Sequence, residues 1–295
     1  MPRPSWLALQ KQGDLCQTSA AFSEKSHPMT AAEALGLIAT FLYALSSLLL
    51  YRQFRGQAAP SRAVLMLPGG LAVAAHAVGL YFLLVTEQGL RLGLFSVASC
   101  MAAVGAGLVL VSSLYRPFQW IGALVFPFAA LIIPASLWID TGYNAHPLEH
   151  GIGLHVLLSI LAYAVLVLSA CQALLLMVQD RQLKDGHIRG VMRLFPPMQV
   201  MESMLFDTIW LGQSLLTLAI LFGFMYVDDL FAQHLVHKTV LTLVSWVIFA
   251  VLLGGRHLRG WRGRTAVRFT LAGFAVLVVA FFGSQLVLEV ILDRA

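Results

Sequence analysis

The chain has 295 residues, of which 59% are hydrophobic and only 11% charged, and its mean hydropathy of +0.82 excludes a water-soluble globular domain. The net charge of +5 is carried by Lys and Arg scattered among short loops, with no continuous basic patch or interleaved aromatics, which argues against a nucleic-acid partner. Cys16, Cys100 and Cys171 form no Cys-x-x-Cys pair, so a disulfide framework, a cysteine zinc site and heme attachment through cysteine are not expected either.

Residues 1–28 contain no apolar core of signal-peptide length and no small-residue cleavage site. They read as a disordered tail, or as sequence upstream of a start at Met29. Residues 29–295 read as one all-α, polytopic membrane domain. A bilayer core roughly 30 Å thick takes about 20 apolar residues in a helix. Eight runs meet that requirement, over 33–51, 64–85, 92–115, 118–137, 152–178, 206–227, 238–255 and 267–290. Pro127 and Pro134 predict a kink in the fourth, and the small residues of "CMAAVGAG" predict a close helix contact in the third. Residues 181–205 read as an amphipathic segment on the inner leaflet, with Met198, Met201 and Met204 at helical spacing as packing residues.

Orientation follows from the loops. The odd-numbered ones hold thirteen Lys and Arg (Arg52, Arg55, Arg62; Arg116; Arg181, Lys184, Arg189, Arg193; Arg256, Arg259, Arg262, Arg264, Arg268), the others only Arg91 and Lys238. The odd loops are therefore expected in the cytoplasm. Both termini are then on the outer, periplasmic side of a multi-pass protein of the bacterial inner membrane.

The nine histidines are unevenly placed. His146, His150 and His155 lie in or just beyond the loop before the fifth helix, and His234 and His237 precede the seventh. Both helices run from outside inward, and His155 and His237 each lie within about one turn of their helix start, so they are expected at matched depth. Such a pair suits bis-histidine ligation of a heme iron between apolar helices. A transition-metal site using also His146, His150, His234, Glu149, Asp228 and Asp229 is a competing use, and simple tolerance of imidazole for the wet interface is a third. His76, near the middle of the second helix, must face the bundle interior, either as a second ligand or as a hydrogen-bond partner of a neighbouring helix.

Three stretches carry a resemblance. "HKTVLTLVSWVIFAVLLGGRHLRGWRGRTAVRFTLAGFAVLVVAFFGSQLV", residues 237–287, resembles the C-terminal part of the cytochrome c assembly family of the CcsA, CcmC and HemX type. Lys238, Trp246, Phe249, Ala250, Arg259, Gly260, Trp261, Arg262, Gly263, Gly273, Phe274 and Gly283 match the family pattern. "TIWLGQSLLTLAILFG" (208–223) is similar to its Leu-Leu-Thr-Leu helix, and "LHVLLSILAYA" (154–164) to its His-Val segment. The resemblance is good over 150–290 and rests on hydropathy alone in the first four helices. It implies that His155 is an outer-face axial ligand of heme. His237 stands at the family's proline position opposite His155, and topology makes it the second axial ligand, with His76 and His234 as secondary candidates.

The departures narrow the subgroup. "DDLFAQHLVHK" lacks the tryptophan-rich platform of the cytochrome-assembling members, and "LEVILDRA" lacks their second outer histidine. The pattern is closest to the HemX-like and YpjD-like inner-membrane proteins. The resemblance thus implies non-covalent handling of a b-type heme, linked to cytochrome c maturation or heme homeostasis. Its expected partners are the lipid bilayer and other cytochrome-assembly or heme-pathway proteins, with heme iron the only metal. No nucleophile, base and orienting group stand together, so an enzyme is not expected. The alternatives are a regulatory or structural subunit engaging a partner through its basic inner loops, and an accessory to divalent-metal transport. The loop charges make a direct prediction: a reporter fused after Arg262 reports from the cytoplasm and one fused after Ala145 from the outer side. The reverse pattern in a two-reporter assay overturns the orientation.

Overall fold

The computed structural model describes residues 29–55, 62–116, 118–139, 150–184, 195–226 and 236–283. Residues 1–28, on which the tail reading rests, lie outside them. The eight helices are α1 (Ala31–Phe54), α2 (Arg62–Leu84), α3 (Leu94–Tyr115), α4 (Gly122–Trp138), α5 (His150–Lys184), α6 (Met198–Tyr226), α7 (Val236–Arg259) and α8 (Gly263–Val278). A two-residue hairpin, β1 (Val85–Thr86) with β2 (Gly89–Leu90), joins α2 to α3, and a π-helical turn, Val279–Gly283, continues α8. Among the described residues eight helical spans are long and apolar enough to cross a membrane, the fourth counting the 3-10 turn Gln119–Ile121 with α4 and the eighth the π-helical turn with α8. The chain is an all-α polytopic membrane protein, the helix being a form that satisfies most of a span's backbone polar groups without water.

The sequence pattern finds each span but misplaces some ends. α5 runs to Lys184, and its 35 residues make it about 52 Å long, well beyond the hydrocarbon thickness. The inner-leaflet segment expected over 181–205 is corrected at both ends, because 181–184 finish α5 and Met198 already begins α6. Met201 and Met204 are buried, so the methionine stripe packs into the core as expected. Charges at these extensions find partners near the helix ends. Asp180 pairs with Lys184 at 2.7 Å and with Arg264 at 2.9 Å, and Glu202 pairs with Arg256 at 3.0 Å.

Helix contacts close two rings of four. In the first, α1 packs on α2 and α4, and α3 packs on the same two helices; in the second, α5 packs on α6 and α8, and α7 packs on the same two. α3 also packs on α5 and so joins the rings. That central place explains its composition. Ala98, Ala102, Ala103 and Ala106 are buried on it, small enough for neighbours on several sides.

The turn between α7 and α8 fixes their hairpin. Gly260 and Gly263 have φ of 66° and 54°, the left-handed region that glycine enters without a Cβ penalty. Trp261, between them, donates its backbone N–H to the Gly255 carbonyl at 3.2 Å, stacks near Phe269 with ring centroids 5.0 Å apart, and lays its indole on the Cα of Gly255. Two adjacent glycines thus make opposite predictions. A Cβ on Gly255 collides with the Trp261 ring, whereas one on Gly254 meets nothing within 4 Å. Gly255→Ala is expected to destabilise by about 1–3 kcal/mol through overpacking. Gly254→Ala is expected to be neutral or to stabilise by up to about 1 kcal/mol through helix propensity. Thermal unfolding of both variants in one detergent checks the pair.

Candidate functional site

The N-terminal end of α5 meets the C-terminal end of α6 over a seam of glycines. A Cβ on Gly151 would overlap the ring of Tyr226, which stacks on Phe222 at a centroid distance of 5.9 Å, and one on Gly223 would stand 3.0 Å from Cε1 and 3.1 Å from Nδ1 of His155. Without those two side chains, the backbones come close enough for His155 Nδ1 to reach the Ala219 carbonyl at 2.7 Å. A carbonyl only accepts, so Nδ1 must carry the proton. In a neutral imidazole that leaves the lone pair on Nε2. His155 is half-buried, and its Nε2 makes no hydrogen bond to the described residues. A ring held by Nδ1–H on a backbone carbonyl, with Nε2 free, is the usual arrangement of a metal-ligating histidine.

His237 lies in the first turn of α7 and is exposed. Its depth can be read through α6. Trp246 on α7 stands level with Gln213 and Thr217, because its Nε1–H donates to Thr217 Oγ1 at 2.8 Å and its carbonyl accepts from Gln213 Nε2 at 3.2 Å. The two helices are antiparallel, so going nine residues back along α7 to His237 corresponds to going nine forward along α6, to about 222–226. His155 faces Ala219 and Gly223 on the same helix. The two histidines therefore differ in height by about one turn, roughly 5 Å. They belong to the diagonal helices of the second ring. Phe281, in the π-helical turn, lies 5.7 Å from the Tyr163 ring of α5 and 5.9 Å from Lys238 Nζ of α7, an aromatic surface reaching toward both diagonal helices.

His76 is placed differently. It is 2% exposed at the centre of the first ring, with Nε2 2.9 Å from Ser99 Oγ on α3 and Nδ1 3.5 Å from the Tyr43 hydroxyl on α1. Tyr43 in turn stacks on Phe126 of α4. Both ring nitrogens are thus engaged with hydroxyls, and the network reaches all four helices of the ring. His146, His187, His234, Glu149, Asp228 and Asp229 lie outside the described residues, as does the side chain of His150. Among the described residues no three His, Cys, Asp or Glu side chains group as a metal site.

The other motif residues are mainly at helix contacts. Trp246 ties α7 to α6, Trp261 closes the α7–α8 turn, and Arg262 is exposed at the residue preceding α8. Arg256, which carried no motif signal, is the centre of the junction between α6 and the α7–α8 turn. It pairs with Glu202, donates to the Trp261 carbonyl at 3.3 Å, and lies over the Phe206 ring at 4.6 Å. Sequence reasoning passed over Ala219 and Gly223. The first acts through its carbonyl, which has no sequence signature, and the second reads as one more small residue in an apolar run.

Comparison with known proteins points to one family. The family described as cytochrome C assembly protein matches residues 31–292, including the first four helices. The inner membrane protein YpjD of Escherichia coli is 29% identical over 259 residues, covering 86% of this chain and 98% of its own length. A 28.8 kDa protein of Azospirillum brasilense is 27% identical over 67% of this chain and 73% of its own, and the cytochrome c biogenesis protein CcsA of Mesostigma viride is 24% identical over 56% and 62%. No solved structure matches. With nearly every helix inside the matched region and the His-Val, Leu-Leu-Thr and Gly-Trp-Arg-Gly segments at the α5–α8 contacts, the chain belongs to the cytochrome c assembly protein family.

Proposed function

We propose that the chain binds heme non-covalently near the outer face of a bacterial inner membrane, with His155 and His237 as axial ligands, and handles it in cytochrome c maturation or heme homeostasis. The observation that carries the reading is the His155–Ala219 bond, which fixes the Nδ1–H tautomer and leaves Nε2 as a ligand. Membership in the family, and the similarity to an inner membrane protein over almost its whole length, support the class of task and the location.

The residues present suit the group. A flat, largely apolar macrocycle needs apolar walls and neutral imidazoles, and the second ring offers Phe222 and Tyr226 at the α5–α6 contact and Phe281 and Phe282 in the π-helical turn. When bound, heme supplies the redox-active iron and the cargo itself. The protein's part is to hold His155 in one tautomer and to bring His237 within about one turn of its level on the opposite helix. His76 has a separate role in this reading: with both nitrogens occupied, it holds the first ring together.

Protein purified in mild detergent from heme-replete cells is expected to show a Soret band and the reduced bands of six-coordinate, low-spin iron. His155→Ala and His237→Ala should each lower occupancy or leave a five-coordinate spectrum. His76→Ala should retain the wild-type spectrum while losing about 1–3 kcal/mol, because the Tyr43 and Ser99 hydroxyls lose a buried partner. Absence of heme, with stoichiometric zinc, cobalt or manganese instead, overturns the reading in favour of metal handling. Absence of both moves the protein to the class of partner-engaging subunits.

A further inference from the structure

The contact between His155 and α6 extends beyond a single hydrogen bond. Gly223 lies one helical turn after Ala219, so the two present the same face of α6 to the imidazole: a carbonyl at one level and a bare Cα at the next. A Cβ at 223 would stand 3.0 Å from Cε1, 3.1 Å from Nδ1 and 3.9 Å from Nε2 of His155. The first two separations are below ordinary van der Waals contact and the third is not. The ring therefore lies with its Nδ1–Cε1 edge against the glycine and its Nε2 corner farther from it. A methyl group at 223 would press on the edge that bonds Ala219 and push Nδ1 away from the carbonyl.

We propose that Gly223 is a positioning residue for His155, whose missing side chain seats the imidazole on α6 so that Nδ1–H is committed to the Ala219 carbonyl and Nε2 is held as the ligand. The role in ligation rests on the heme reading above; the tautomer does not. The Nδ1–H bond to a carbonyl makes the imidazole a stronger electron donor through Nε2, and such outer contacts are worth roughly 10- to 100-fold in metal affinity. Loss of the bond therefore weakens heme retention by about that factor. It also raises the midpoint potential, because a less basic imidazole stabilises ferric iron less.

The test compares Gly223→Ala with Gly212→Ala. Gly212 is on the same helix and also faces α5, but a Cβ there meets Leu166 at 2.6 Å and not the histidine. Two measurements are made. In heme-free protein labelled with [15N]histidine, assigned by loss of the signal in His155→Gln, nitrogen NMR is expected to show His155 protonated at Nδ1 in the wild type and in Gly212→Ala. In Gly223→Ala the proton shifts partly or wholly to Nε2. In heme-loaded protein, Gly223→Ala is expected to retain less heme and to have a higher midpoint potential, while Gly212→Ala lowers thermal stability and leaves the potential unchanged. Wild-type protonation at Nε2, an unchanged tautomer in Gly223→Ala, or an equal change in Gly212→Ala overturns the proposal. If the wild type carries no heme but the tautomer responds as described, the seating of His155 stands and the heme reading falls. If heme is present but neither the tautomer nor the potential changes in Gly223→Ala, the seating falls and the heme reading stands. Should Gly223→Ala fail to insert, the wild-type tautomer still decides.

Discussion

Inside a bilayer, apolar helices gain little from touching one another, because lipid tails are as apolar as leucine. What fixes one helix on another is small residues and the few polar groups that must find a partner in the absence of water. This protein divides its polar side chains into two sets on that basis. Ser47, Ser169, Ser214, Thr242 and Thr270 return their hydroxyls to the carbonyl four residues earlier and say nothing about neighbours. His76, His155, Tyr163, Gln172, Gln213, Ser245 and Trp246 cross to another helix. Interhelical bonds of this kind average about 0.6 kcal/mol in membranes. Their contribution to stability is small, but each is satisfied at one register only, so together they set the height of every helix in the rings.

The two rings use these bonds differently. At the centre of the first, His76 meets side chains, Tyr43 and Ser99, and both of its nitrogens are consumed. In the second, His155, Tyr163, Gln213 and Ser245 each donate to a main-chain carbonyl of a neighbour, of Ala219, Leu277, Trp246 and Gly273 respectively. A helix carbonyl already accepts from its own backbone and has a second lone pair to offer. Bonding to it uses one end of the incoming side chain and leaves the other available. Gln213 Oε1 has no partner among the described residues, and neither does Nε2 of His155. The histidine of the first ring has both nitrogens engaged, whereas that of the second keeps one free among the described residues.

Much of this was legible in the sequence, for unequal reasons. All eight spans show in the hydropathy, since a helix in lipid is apolar along its whole length whatever it packs against. The overrun of α5 to Lys184 and the early start of α6 at Met198 were not legible, because Asp180, Arg181 and Glu202 look like loop residues until Arg256 and Arg264 are found beside Asp180 and Glu202. The Gly-Trp-Arg-Gly turn was recognisable as a motif, but its physical content was hidden. Nothing in the letters shows that Trp261 needs Gly255, or that its flanking glycines have positive φ. His155 stood out through resemblance and position. Its seat did not, because a backbone carbonyl leaves no trace in a sequence and Gly223 is one of 24 glycines.

The ring geometry also bears on why ligands are sought on α5 and α7 and not on adjacent helices. Neighbours in a bundle have axes roughly 8–10 Å apart, a gap that side chains fill and that has no room for a macrocycle. Diagonal helices of a four-membered ring are about 1.4 times as far apart, since each side of the ring keeps ordinary packing distance. α5 and α7 are such a pair, each packed closely on α6 and α8. His155 is braced against α6 at one corner, and His237 stands within about one turn of its level across the diagonal with an exposed side chain. One histidine held with a nitrogen free and one exposed histidine across a wide diagonal suit the proposed role of holding and releasing heme. Two ligands braced as His76 is braced would hold the first ring together equally well and leave no nitrogen to bind anything.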